Sequence, residues 1–70
     1  MATYKVYYYN SGDNSLKEKE YNSTINVNNL PAYILSQDST ITKIPRIDIL
    51  ADPDGINTDE ALGIHHLGGN

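Results

Sequence analysis

Between Thr3 and Asn10, Tyr4, Val6 and Tyr8 alternate with Thr3, Lys5, Tyr7 and Tyr9. This period of two, carried by aromatic and β-branched residues, favours a pleated, half-buried strand with apolar area on both faces. Ser11-Gly12-Asp13-Asn14 follows as a turn cluster, with Gly12 able to take the positive φ that a tight hairpin turn requires. Leu16 to Tyr21 is then the returning strand. A turn at Gly12-Asp13 sets Lys5 opposite Glu20, Tyr7 opposite Glu18, Val6 opposite Lys19 and Tyr4 opposite Tyr21. Opposite charges and an aromatic pair fall into register. Each such pair is worth only about 0.2 to 1 kcal/mol, so the agreement argues for the register more than it accounts for stability. The run Lys17-Glu18-Lys19-Glu20 suits a solvated edge strand that resists pairing with other chains.

Ser23 to Asn29 reads as a polar connection, with Ile25 and Val27 as anchors into the core. Asn29-Leu30-Pro31 signals a helix start, because proline at the first helical position gives up no hydrogen bond. A short helix from about residue 30 to 36 would lay Leu30, Ile34 and Leu35 on the hairpin. From Thr40 to Ala51 the chain is again apolar, with Ile41, Ile44, Ile47, Ile49 and Leu50 interrupted by Pro45. Proline cannot donate to a ladder, so a third strand is expected to start near Pro45, the alternative being a proline at an edge or bulge. Asp52-Pro53-Asp54-Gly55 is a turn. Beyond it, Asn57 and Glu60 have capping-box spacing, while Asp59 and Glu60 ahead of His65 and His66 match the polarity of a helix. These signals predict a second helix from Thr58 to about Leu67, weakened by Gly63 and ended by Gly68-Gly69.

The expected fold is therefore a single α+β domain over residues 1–70. It has a small antiparallel three-stranded sheet, a β-hairpin plus a third strand over 3–10, 16–22 and 45–51, packed with one or two short helices in the order ββαβα. The expected core is Tyr4, Val6, Tyr8, Ile25, Val27, Leu30, Ile34, Leu35, Ile47 and Ile49.

A chain of 70 residues without cysteine has neither a disulfide framework nor a thiolate metal site. Burying about 60 % of its unfolded surface, it must rely on packing or on a partner. No apolar run approaches the ~20 residues of a membrane span, and the first residues lack a signal peptide's apolar stretch, so the expectation is a soluble cytoplasmic protein without membrane contact. Charge is unevenly placed. Residues 1–46 set Lys5, Lys17, Lys19, Lys43 and Arg46 against Asp13, Glu18, Glu20 and Asp38, a net of +1. Residues 47–70 carry Asp48, Asp52, Asp54, Asp59 and Glu60 with no lysine or arginine, a net of -5. Such a segment repels phosphates, which disfavours direct nucleic-acid binding.

Chemistry-bearing motifs are missing. Asp52 and Asp54 before Gly55 have the look of a calcium loop, but Leu50 and Ala61 stand where its first and last ligands belong. On a helix His65 and His66 diverge, and Asp59 with His66 gives too few ligands for zinc. Neither a phosphate-binding glycine pattern nor an activated nucleophile is present. The expectation is a protein that is not an enzyme and takes no cofactor or metal.

The tyrosine run is the strongest binding signal. In a strand, Tyr8 shares a face with Tyr4 and Val6 while Tyr7 and Tyr9 occupy the other, so either a C-terminal helix or a partner must cover that second face. The leading expectation is an interaction protein whose acidic residues Asp48, Asp52, Asp54, Asp59 and Glu60, flanked by Tyr7 and Tyr9, meet a protein partner with a basic surface. A narrower form is a phage-type inhibitor presenting carboxylates to a nucleic-acid channel. Two alternatives stand beside it: a homo-oligomeric structural module using Tyr7, Tyr9 and the last helix as self-interface, and a small-ligand or metal binder around Asp59, His65 and His66.

Overall fold

The computed structural model describes residues 1–58 and 60–67. Five elements follow in order: β1 (Ala2–Asn10), β2 (Lys17–Ser23), α1 (Leu30–Gln37), β3 (Ile41–Ala51) and β4 (Gly63–His66). They build one four-stranded antiparallel sheet in the order β2-β1-β3-β4. The α+β class is as expected, but the sheet has a fourth strand and the order is ββαββ.

The hairpin has the register read from its charges: Tyr4 faces Tyr21, Lys5 faces Glu20, Val6 faces Lys19 and Tyr7 faces Glu18. Its connection is wider than a two-residue turn. Asp13 donates its amide to the Asn10 carbonyl around Gly12, which sits at φ +78°, and the Asp13 carboxylate then accepts the Ser15 amide and hydroxyl and pairs with Lys17. The Lys17 hydrogen bond, followed by those from Ser15, holds the Asp13 carboxyl well below the usual carboxylate range.

Both β2 and β3 run antiparallel to β1, hence parallel to each other, so the segment joining them must cross a face of the sheet. The helix α1 lies on that crossing. Pro31 stands in its first turn, and Leu30 and Ile34, four residues apart, are buried against the sheet. Leu35, one position further round, is exposed, which corrects its placement in the core. Tyr4, Val6, Ile47, Ile49 and Val27 complete the interior together with Ala2, Ile41 and Ile44, which the sequence reading left out. Tyr8 and Ile25 are only partly buried against it.

The third strand begins at Ile41 rather than near Pro45. Pro45 lies inside it, where the pairing with β1 slips between Tyr7–Arg46 and Tyr9–Lys43, so a bulge absorbs the missing donor. The Pro45 carbonyl still accepts the Leu67 amide at 2.8 Å.

Where a second helix was expected, the described residues form β4. Gly63 takes φ +113°, incompatible with a helix interior, and the next residues complete the open side of β3. The predicted helix terminator Gly68-Gly69 lies outside the described residues. Asn57 is not a helix cap either: it is 2 % exposed, its Oδ1 accepts the Val27 amide at 2.7 Å and its Nδ2 donates to the Tyr4 hydroxyl at 2.7 Å. The turn at 52–55 closes as read, with the Gly55 amide donating to the Asp52 carbonyl.

Candidate functional site

Strand alternation divides the sheet into two unlike faces. One carries Ala2, Tyr4, Val6, Ile47 and Ile49 beneath α1; the other carries Lys5 and Tyr7 from β1, Glu18 and Glu20 from β2, Arg46 and Asp48 from β3, and Ile64 and His66 from β4. The second face is not covered by α1. Its rows follow from the register: Glu20, Lys5, Asp48 and Ile64 lie side by side across the four strands, and Glu18, Tyr7, Arg46 and His66 form the next row.

The centre of this face is a closed polar lattice. Arg46 donates through Nε and Nη2 to the two oxygens of Asp48 at 2.8 and 2.9 Å, while its guanidinium sits 4.5 Å from the centre of the Tyr7 ring. Tyr7 reaches Asp48 with its hydroxyl at 3.4 Å, and Lys5 lies 3.5 Å from Glu18. The Arg46 hydrogen bonds depress the Asp48 carboxyl below its ordinary value against the opposing effect of burial, and the same pairing raises Arg46. Tyr7 is thus covered from within the fold, by a cation from the neighbouring strand.

Apolar side chains gather at the β3–β4 end. Leu50, Leu62 and Ile64 are 45, 63 and 55 % exposed; Leu50 follows Ile49 and Leu62 precedes Gly63, the last pair of the β3–β4 ladder, and Ile64 faces Asp48. This cluster escaped the sequence reading, which turned 58–67 into a helix. The signal available was Gly63 followed by Ile64, whose strand placement puts its side chain on the face of Asp48.

The anticipated acidic site is divided by the fold. Asp48 is engaged by Arg46, and Asp52 accepts the amides of Ile56 and Asn57, both at 2.8 Å. Asp54 is exposed and pairs with the N-terminal ammonium, Glu60 is half-buried, and Asp59 lies outside the described residues. Tyr7 and Asp48 are brought together. Tyr9 stands apart, opposite Lys43 on the other side of the bulge, where it lines a shallow surface cleft of about 480 Å³ with Asn10, Gly12 and Lys43.

Histidines 65 and 66 follow each other on a strand, so their rings point to opposite faces of the sheet. His65 Nε2 lies 2.8 Å from the Ala61 carbonyl. Among the described residues no group of three or more His, Cys, Asp or Glu is placed to hold a metal ion. A second shallow cleft, about 380 Å³, runs between Pro31, Leu35, Ile44 and Leu67 with Lys43 at its side. No helix among the described residues is long and apolar enough to cross a membrane. Comparison with models of known protein families finds no match, and neither do comparisons with curated proteins and with solved structures.

Proposed function

We propose that this chain is a non-enzymatic interaction protein that binds a second protein on the sheet face α1 leaves open. The observation that carries this reading is the exposure of Leu50, Leu62 and Ile64 together, at the edge of a segment that contains acids and no lysine or arginine. Large apolar side chains exposed near one another, in a segment that also carries charge, are the makings of an interface core and rim. The segment that carries the cluster also carries Asp54, which is exposed, and Glu60, which is half-buried, so the complementary partner is apolar at its centre and basic at its margin. The narrower reading, an inhibitor that mimics phosphates along a nucleic-acid channel, needs more free carboxylates than remain once Asp48 and Asp52 are engaged internally. The general form is therefore the one proposed.

The test compares the wild type with Leu50→Ser/Leu62→Ser and with Asp54→Lys/Glu60→Lys in affinity capture from the native cell at low and high salt. All three should melt alike. The apolar pair should lose the wild-type partner outright, and the charge pair should weaken capture and remove its salt dependence. Equal capture of the same partner by all three proteins would sink the reading.

A further inference from the structure

The two edges of the sheet are unlike. The edge strand β2 runs Lys17, Glu18, Lys19 and Glu20, charged side chains on both faces of the kind that discourage strand pairing. At the other edge, β4 carries Gly63, Ile64, His65 and His66, with no carboxylate, lysine or proline. The direction of its backbone groups can be derived. Because the Leu67 amide donates to the Pro45 carbonyl, residues 45 and 67 form a hydrogen-bonded pair, and such pairs alternate along an antiparallel ladder. Residues 47 and 65, and 49 and 63, are then also hydrogen-bonded pairs, leaving the amides and carbonyls of Ile64 and His66 directed away from β3. Among the described residues no strand lies beyond them in the sheet.

We infer that β4 is a self-complementary edge that pairs antiparallel with β4 of a second copy of this chain, joining two sheets about a two-fold axis. The arrangement that uses the whole strand sets His65 against His65 of the partner subunit on the axis. Ile64 of one protomer then exchanges both backbone hydrogen bonds with the partner's His66, and symmetry repeats the exchange. A two-fold contact of this type is isologous and closes on itself. The charged β2 edges at the far ends keep the joined sheet from growing into a ribbon. Each copy carries a charge of -4, so the association strengthens as salt screens the repulsion. That dependence is opposite to the one expected for docking on a basic partner, so the two proposals stand or fall separately.

The experiment is sedimentation velocity of the full chain over a wide concentration range at low and high salt. The wild type should shift from monomer to dimer with rising concentration, and more readily at high salt. Ile64→Pro removes an outward amide without touching the β3 ladder and should stay monomeric. The second variant does not depend on tolerance of proline: His65→Cys places two thiols across the axis at cross-strand distance, and with diamide as oxidant it should form a disulfide-linked dimer. Asn22→Cys on the opposite edge should remain monomeric under the same treatment. A wild type that is monomeric at every concentration overturns the inference. So does a dimer that survives in Ile64→Pro, or equal cross-linking of the two cysteine variants.

Discussion

Asn57 and Tyr4, 53 positions apart in sequence, meet in the interior at 2.7 Å, with the amide of one donating to the hydroxyl of the other. The same Tyr4 hydroxyl donates to the Ile25 carbonyl and the same Asn57 accepts the Val27 amide. Three segments are thereby tied together: the first strand, the connection into α1, and the loop before β4. The Asp52 carboxylate fixes that loop from the other side by accepting the Ile56 and Asn57 amides.

Removing Asn57 should therefore affect more than one bond. Asn57→Ala orphans the buried Val27 amide and takes a donor from Tyr4, which predicts a loss of about 2–3 kcal/mol, a large share of the total for a domain of this size. Tyr4→Phe should cost about 1–2 kcal/mol, because the Ile25 carbonyl and the Asn57 amide each lose a partner. The two share a network, so the double variant should cost clearly less than the sum in urea unfolding. Strict additivity would mean that the network does not act as a unit.

The acid limb of stability should report on Asp48. Its carboxyl is held below the ordinary value first by the Arg46 hydrogen bonds, so the native state binds that proton more weakly than the unfolded chain does. The resulting stabilisation is fully present above about pH 4 and is lost as the pH falls through the lower folded value. Asp48→Asn should be less stable than the wild type at neutral pH and show a shallower decline below about pH 4. The decline should not vanish, because Asp13 and Asp38 are depressed as well, by hydrogen bonds led by Lys17 and Thr40 respectively. An unchanged acid limb in Asp48→Asn would place the pH dependence elsewhere.

Tyr7 separates ring from hydroxyl. The guanidinium of Arg46 lies over the ring, a contact worth about 0.5–2 kcal/mol, whereas the hydroxyl meets Asp48 only at 3.4 Å. Tyr7→Phe should change stability by less than about 0.5 kcal/mol. Tyr7→Ala should cost about 1–2 kcal/mol through lost stacking and apolar contact while the domain still folds. Equal effects of the two variants in denaturant unfolding would assign the stabilisation to the hydroxyl.

What the sequence disclosed follows the range of the interactions involved. The hairpin register was legible because its determinants, Lys5 with Glu20 and Tyr4 with Tyr21, lie within one local loop. The helix was legible for the same reason, from Pro31 and the spacing of Leu30 and Ile34. The strand β4 was hidden. Its four residues show no usable alternation, and the acids before it and histidines within it imitate the charge order of a helix. What makes it a strand is the open side of β3, a tertiary partner that no local pattern reveals. The candidate site was half legible for a similar reason: Tyr7 stood out by composition, but Arg46 above it and the engagement of Asp48 and Asp52 depend on neighbours across strands and loops.

Gly63 decides whether the last described segment can be a strand in this register. At φ +113° it occupies backbone space that residues with a Cβ rarely enter, yet an added Cβ would meet no atom within 4 Å. The cost of Gly63→Ala is therefore backbone strain alone, about 1–3 kcal/mol, with no contribution from a clash. Because the strain falls at the entry to a four-residue edge strand, it should be relieved by releasing β4 while β1, β2 and β3 stay paired. Amide exchange of His65 and Leu67, which face β3, should then accelerate far more than that of Val6 or Ile47. Uniform acceleration across the sheet would show instead that β4 opens only with the whole domain.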